Sequence, residues 1–286
     1  MKPMQSKCAM RAVSAVLKSF CVVLSGLSCM VCIPVHATQT GIPKTCTYRY
    51  SQETVTIGGR NVLVEYYQPD GRGPFPLVFM LHGSTGALSV KAGREPTSEN
   101  FGEKTLATNC LAVALPHYLE AIGRKSLVSR EEMVAHFPEL ISVTGVLLSQ
   151  AEMLPLVRGK PVFIFGESLG GYLGIALAFE RNEVSAISEF GGGLPTGHLL
   201  MRRRRPAVLV SHGGADMLVP PSEAESLRDY CVANGIPVQM KIYQGESHYL
   251  SAGARTKILS KTVELFNRID APGRGAETLS QAHKDK

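Results

Sequence analysis

The chain has 286 residues and a formal charge of +6, from 30 Lys and Arg against 24 Asp and Glu, with 44% hydrophobic and 19% charged residues. This composition excludes a disordered or collagen-like chain. The first 37 residues carry Lys2, Lys7, Arg11 and Lys18 and no acid, so the other 249 hold 26 basic against 24 acidic residues, a net of +2 that gives no reason to expect nucleic acid.

Those first residues read as a secretory signal: a basic stretch to Lys18, an apolar run from Phe20 to Ile33, then Val35-His36-Ala37. Cleavage is expected after Ala37, giving a secreted or periplasmic protein. The apolar run is short for crossing ~30 Å of hydrocarbon, and the Leu-small-small triplet of a lipoprotein signal precedes neither Cys29 nor Cys32. No stable membrane insertion of the mature chain is expected. Four of the seven cysteines lie in this leader, leaving Cys46, Cys110 and Cys231 for one bridge and one leftover thiol, with the pairing open. No metal is expected, because three distant cysteines and histidines without HExxH spacing do not make a ligand set.

After the leader, Thr54–Ile57 and Val62–Tyr67 alternate in polarity around Gly58-Gly59 and predict an antiparallel hairpin. A long polar connection, Ser84 to Lys104, borders the expected functional mouth. Continuous apolar runs at Leu77–Leu81, Leu111–Leu115, Val162–Phe165, Val184–Ile187 and Ala207–Val210, then the mixed run Val238–Tyr243, predict strands buried on both faces. Helices are predicted over Glu139–Leu154, Ser168–Phe179, Pro221–Ala233 and Ala254–Phe266, so a doubly wound, mostly parallel sheet with helices on both faces is expected. The domain is placed at residues 38–270, with a frayed tail at 271–286.

The sharpest motif is Phe163-Ile164-Phe165-Gly166-Glu167-Ser168-Leu169-Gly170-Gly171-Tyr172, a buried strand, then G-x-S-x-G, then a helix. Here the serine hydroxyl is exposed on a strained turn near the positive end of a helix. A hydroxyl is a poor nucleophile, so it needs a base, and the base needs a group to orient it. Asp216 follows the strand Ala207–Val210, and His248 follows Val238–Tyr243, so Ser168, Asp216 and His248 should meet at the carboxyl ends of parallel strands. His82, His117 and His212 also sit at strand ends but do not fit the order Ser, Asp, His. Glu246 is a rival acid, only two residues from His248.

From Thr54 to Phe266 the sequence resembles an α/β-hydrolase, and its compact triad spacing without a cap insertion is most similar to the dienelactone hydrolase family and its esterase relatives. The resemblance implies an eight-stranded sheet and a nucleophile, acid, base triad on Ser168, Asp216 and His248. Leu169 and Ser84 would then supply backbone N–H groups to the oxyanion. Pro116-His117-Tyr118 ends another strand near the same rim, so that His117 and Tyr118 are candidates for the wall of the acyl or alcohol pocket, with a core tyrosine at 118 as the alternative. Enzymes acting on dienelactone use cysteine where this chain has Ser168, which shifts the expectation to esters or other small acyl substrates. The expected activity is therefore an exported serine hydrolase of carboxylic esters without cofactor. The alternatives are a serine peptidase on short peptides, or an idle binding protein on the same scaffold.

Overall fold

The computed structural model describes residues 45–87, 102–197 and 205–271. The signal segment with its cleavage site, most of the 84–104 connection and the tail beyond 271 lie outside them.

Gly58 and Gly59, both at positive φ (55° and 81°), form the two-residue turn that joins strand β1 (Tyr48–Ile57) to β2 (Arg60–Pro69) in the expected antiparallel hairpin. Six further strands follow: β3 (Leu77–Leu81), β4 (Ala112–Pro116), β5 (Val162–Glu167), β6 (Val184–Phe190), β7 (Ala207–Gly213) and β8 (Val238–Tyr243). The eight strands stand in the order β1-β2-β4-β3-β5-β6-β7-β8, parallel from β4 to β8. Every residue of β3, β4 and β7 is buried, which explains their unbroken apolar sequences.

Successive strand residues feed opposite layers. Val162 and Ile164 pack with Leu140 and Leu147 of α2 (Arg130–Glu152), Leu173 and Leu177 of α3 (Leu169–Glu180) and Leu227 of α4 (Pro221–Ala233). Phe163 and Phe165 face the other way, toward Leu106 of α1 (Glu103–Thr108) and Ile258 and Phe266 of α5 (Ala252–Asp270). Phe163 stacks on Phe266 with ring centroids 4.4 Å apart. The two cores hold three layers together, each large buried side chain contributing roughly 1.5–3 kcal/mol.

The structure departs from the sequence expectations at three helical segments. α2 begins nine residues before Glu139, because Ser129 caps it by accepting from the Glu132 N–H at 3.1 Å. Pro138 is accommodated inside the helix on its exposed side. α1 and a 3-10 turn over Tyr118–Ile122 were not predicted, both being too short to display a helical period.

The strand order reverses at β3. The chain leaves β3 through α1 to β4 on one side and returns through α2 to β5 on the other, so a crevice opens between the carboxyl ends of β3 and β5. The residues after these two strands are His82-Gly83-Ser84 and Ser168.

Candidate active site

Ser168 occupies the sharp turn between β5 and α3 with φ 53° and ψ −116°, a conformation that costs a non-glycine residue about 1–3 kcal/mol. Its N–H donates to the Phe190 carbonyl at 2.9 Å, and its own carbonyl accepts from Gly171 and Tyr172, which holds the turn. Two glycines make the turn sterically feasible. A Cβ on Gly166 would lie 2.4 Å from the Gly170 oxygen, and one on Gly170 would lie 2.1 Å from the Leu81 oxygen. The serine side chain does not cap α3. It faces His248 instead, with Oγ 3.0 Å from Nε2.

His248 arrives from the turn after β8. That turn can lie against the end of β7 because Gly213 has no side chain: a Cβ there would meet the Glu246 and Ser247 oxygens at 2.5 Å. The Ala215 N–H donates to the Glu246 carbonyl at 2.8 Å and ties the two loops. Asp216 is thereby brought under the imidazole, and Oδ2 accepts from His248 Nδ1 at 2.7 Å. Its other oxygen accepts from the Leu218 and Val219 N–H groups, both at 2.9 Å. With His248 Nδ1 donating to a carboxylate, Nε2 is the nitrogen left to accept a proton from Ser168.

Gly83 passes directly over this centre, where an added Cβ would lie 3.5 Å from Ser168 Cβ. Of the two expected oxyanion donors, Leu169 directly follows the serine at the start of α3 and Ser84 follows Gly83 in the loop after β3. Among the described residues no carbonyl accepts from either N–H. Glu167, directly before the serine, is a feature the sequence reading did not single out. Burial pushes its carboxyl up to about 7 against the opposing pull of Arg255.

The rival residues fall elsewhere. Glu246 is not the acid: its carboxylate binds Ser251 at the start of α5 through the N–H at 2.7 Å and the hydroxyl at 2.6 Å, and those bonds lower its pKa. His117 and Tyr118, expected in the pocket, are buried at 4% and 0% exposure. His117 Nε2 pairs with Glu65 Oε1 at 2.7 Å, and the Tyr118 hydroxyl donates to the His82 carbonyl at 2.6 Å. Their polar tips are satisfied internally, as the core-tyrosine alternative expects. A cleft of about 560 Å³ lies beside the sheet between α1 and α5, lined by Phe165, Phe190, Leu250 and Arg255 among others and by no member of the triad. His212, set aside in the sequence for its place in the order, lies with its Nε2 3.4 Å from Asp216 Oδ2 and donates to the Val219 carbonyl at 2.9 Å. No sequence signal marked it, since the contact depends on how β7 ends.

The eight-stranded sheet and the serine on its strand-to-helix turn define an α/β-hydrolase fold. Residues 130–266 match the family model of the dienelactone hydrolase family, just under half of the chain. Solved structures with this fold include a dienelactone hydrolase-like promiscuous phosphotriesterase from metagenomic libraries, at TM-score 0.64 and 18% identity, covering 79% of this chain and 100% of that one. A puromycin-hydrolyzing peptidase of Mycobacterium tuberculosis superposes at TM-score 0.60 and 17% identity, covering 82% of this chain and 41% of that one. The acylaminoacyl peptidase of Pyrococcus horikoshii does so at 0.61 and 13%, covering 84% and 44%. No curated protein matches the chain. The likeness to these structures shows the α/β-hydrolase fold, and the family model places the resemblance to the dienelactone hydrolase family in residues 130–266.

Proposed function

We propose that the protein is an exported serine hydrolase of carboxylic esters. The observation that carries this reading is the continuous chain from Ser168 Oγ to His248 Nε2 at 3.0 Å and from His248 Nδ1 to Asp216 Oδ2 at 2.7 Å. Ser168 Oγ attacks the ester carbonyl carbon while its proton passes to His248 Nε2, and the N–H groups of Leu169 and Ser84 receive the negative oxygen. His248 then gives the proton to the departing alcohol, leaving an acyl group on Ser168. Water, deprotonated by His248, attacks that acyl carbon, the bond to Ser168 Oγ breaks as His248 returns the proton to Oγ, and the acid is released. Asp216 holds the imidazole in the tautomer this needs.

Export is supported by the basic, apolar and small-residue succession ending at Ala37 and by the Cys46–Cys110 disulfide, a bond favoured by oxidising compartments. N-terminal sequencing of exported protein should begin at Thr38. An intact Met1 terminus recovered from membranes would contradict cleavage.

The test of the chemistry is labelling with a fluorophosphonate and hydrolysis of a panel of esters, lactones and aminoacyl amides. Wild type should label and cleave esters fastest, and Ser168→Ala should do neither. Labelling that persists in Ser168→Ala would remove the nucleophile from the reading. Faster cleavage of amides than of esters would favour the peptidase alternative, which has the support of the two peptidases that share the fold.

A further inference from the structure

Three consecutive carbonyls in the loop after β3 each accept a hydrogen bond. The His82 carbonyl accepts from the Tyr118 hydroxyl at 2.6 Å. The Gly83 carbonyl accepts from His82 Nδ1 at 2.7 Å and from the Gly86 N–H at 3.1 Å. The Ser84 carbonyl accepts from the Leu127 N–H at 2.8 Å. A peptide unit is planar and trans, so its N–H points opposite to its C=O. Fixing the His82 carbonyl therefore aims the Gly83 N–H, and fixing the Gly83 carbonyl aims the Ser84 N–H.

Tyr118 acts on both of these peptide units. Its hydroxyl holds the first carbonyl directly, and its ring lies flat on the His82 imidazole, centroids 4.1 Å apart and planes 8° from parallel. That imidazole is the donor to the second carbonyl. Tyr118 is fully buried and His82 nearly so, at 0% and 1% exposure. Burial lowers the His82 pKa to about 3 and raises that of Tyr118 well above its ordinary value, so the imidazole stays neutral and the phenol keeps its proton. The tyrosine is itself anchored through its neighbour. His117 bonds Glu65 of β2 through its side chain and the Leu63 carbonyl through its N–H. The Glu65 carboxylate accepts in turn from the Tyr50 and Tyr67 hydroxyls at 3.1 and 3.2 Å.

We propose that Tyr118 is a positioning residue of the hydrolytic site, aiming the backbone N–H groups of the loop after β3 at the oxyanion beside Ser168 without touching substrate. The inference rests on the reading of Ser168 as nucleophile and of the Ser84 N–H as oxyanion donor. A tyrosine with a merely structural role would lower stability when altered and leave the energetics of the tetrahedral species alone.

The experiment replaces Tyr118 with phenylalanine, which removes one oxygen and keeps the stacked ring. On the best ester, kcat should fall roughly 10- to 100-fold, less than for outright loss of an oxyanion donor, while KM stays within about twofold. Affinity for a trifluoromethyl ketone, which adds to the serine to form a tetrahedral oxyanion, should fall by a similar factor. Should Tyr118→Phe fail to give a native circular dichroism spectrum, the same readouts are taken with 4-aminophenylalanine and 4-fluorophenylalanine at position 118. The first keeps a donor and should restore most of the activity, whereas the second keeps the volume alone and should not. Equal kcat and equal ketone affinity across donor and non-donor side chains would overturn the proposal. Ser168→Ala is assayed in parallel to separate the two readings. If it retained turnover, the nucleophile assignment would fail first; if it were inert while Tyr118→Phe kept full kcat, only the role of Tyr118 would fail.

Discussion

His212 Nε2 lies 3.4 Å from Asp216 Oδ2, the same oxygen that accepts from His248 Nδ1. Both residues come from the end of β7, and the Val219 turn links them: its carbonyl accepts from His212, and its N–H donates to Asp216. Two backbone amides hold the acid, and the buried histidine fixes the turn that supplies one of them. His212→Ala would leave a cavity and strip the Val219 carbonyl of its donor, so a loss of about 2–4 kcal/mol in stability is expected. Its kcat should fall less than that of Asp216→Ala, because the Leu218 and Val219 amides still hold Oδ1. Urea unfolding and ester kinetics on the two variants check this, and a larger kcat loss in His212→Ala would contradict it.

Hydrogen bonds join Ser168, His248 and Asp216 in one chain, and on the proposed mechanism they act as a unit, so their effects should not add. Ser168→Ala and His248→Ala should each lower kcat by roughly 10⁴–10⁶, Asp216→Asn somewhat less, and the Ser168→Ala/His248→Ala pair little more than either single change. All should keep native circular dichroism, since the side chains sit at strand ends. A double variant losing the product of the single factors would mean that the two residues act independently.

Much of this was legible because the motif has a sequence-local cause. Gly166 and Gly170 are needed within a few residues of Ser168, and the buried run Val162–Phe165 announces the strand that delivers them. The order of Asp216 and His248 follows from parallel strands of regular length. What stayed hidden depends on contacts across the sheet. Tyr118 and His117 stood out as polar residues at a strand end, but only the pairing of β2 with β4 brings Glu65 to His117. The helix expected from Glu139 starts at Arg130, a start that the capping sequence Ser129-Arg130-Glu131-Glu132 supports and that Pro138, inside the helix, locally opposes. The disulfide partners are 64 residues apart and depend on where α1 ends, which no periodicity disclosed.

That bridge lies at the opposite end of the sheet from the triad. Cys46 precedes β1 and Cys110 precedes β4, with Cα atoms 5.3 Å apart, and the third cysteine of the described chain, Cys231, is buried in α4. Closing so long a loop stabilises the folded chain by about 2–5 kcal/mol. Cys46→Ser/Cys110→Ser should therefore lower the thermal midpoint by several degrees and leave kcat on a short ester unchanged below that temperature. A drop in kcat at a temperature where the variant is fully folded would show that the bridge influences the site.

Glu189 supplies a pH dependence of stability. It is fully buried in β6, with Oε2 accepting from the Gly192 N–H at 3.0 Å and Oε1 without a partner among the described residues. Burial raises its carboxyl from 4.5 to about 8, so the folded protein keeps a proton that the unfolded chain releases. Its favourable contribution is complete below pH ~4.5, declines as pH rises toward ~8 and is flat beyond. Within that window the slope is about 1.4 kcal/mol per pH unit. Glu189→Gln cannot ionise, and the raised pKa of Glu167 is common to both proteins, so the difference between them isolates this group. Wild type should lose ground to Glu189→Gln between pH 5 and pH 8 in urea unfolding, and parallel stability curves would refute a proton held at Glu189.

The residues next to the triad in sequence bear on which esters are favoured. Met217 and Leu218 follow the acid at 90% and 62% exposure, and Tyr249 follows the base at 69%, its ring edge-on to His248 at 5.7 Å. Large apolar side chains left in water beside a reactive centre gain when an apolar group covers them, by about 0.8 kcal/mol per buried CH₂. Esters with longer acyl chains should therefore have lower KM than acetates. Met217→Ser/Leu218→Ser should reduce the ratio of kcat/KM for octanoate over acetate by roughly tenfold, the equivalent of about two methylenes. Acetate kcat should be unchanged, because the bonds from Leu218 and Val219 to Asp216 come from the backbone. Measuring both esters on both proteins decides the point: an unchanged ratio would exclude these two side chains from the acyl site, and a falling acetate kcat would mean that the substitutions had displaced Asp216.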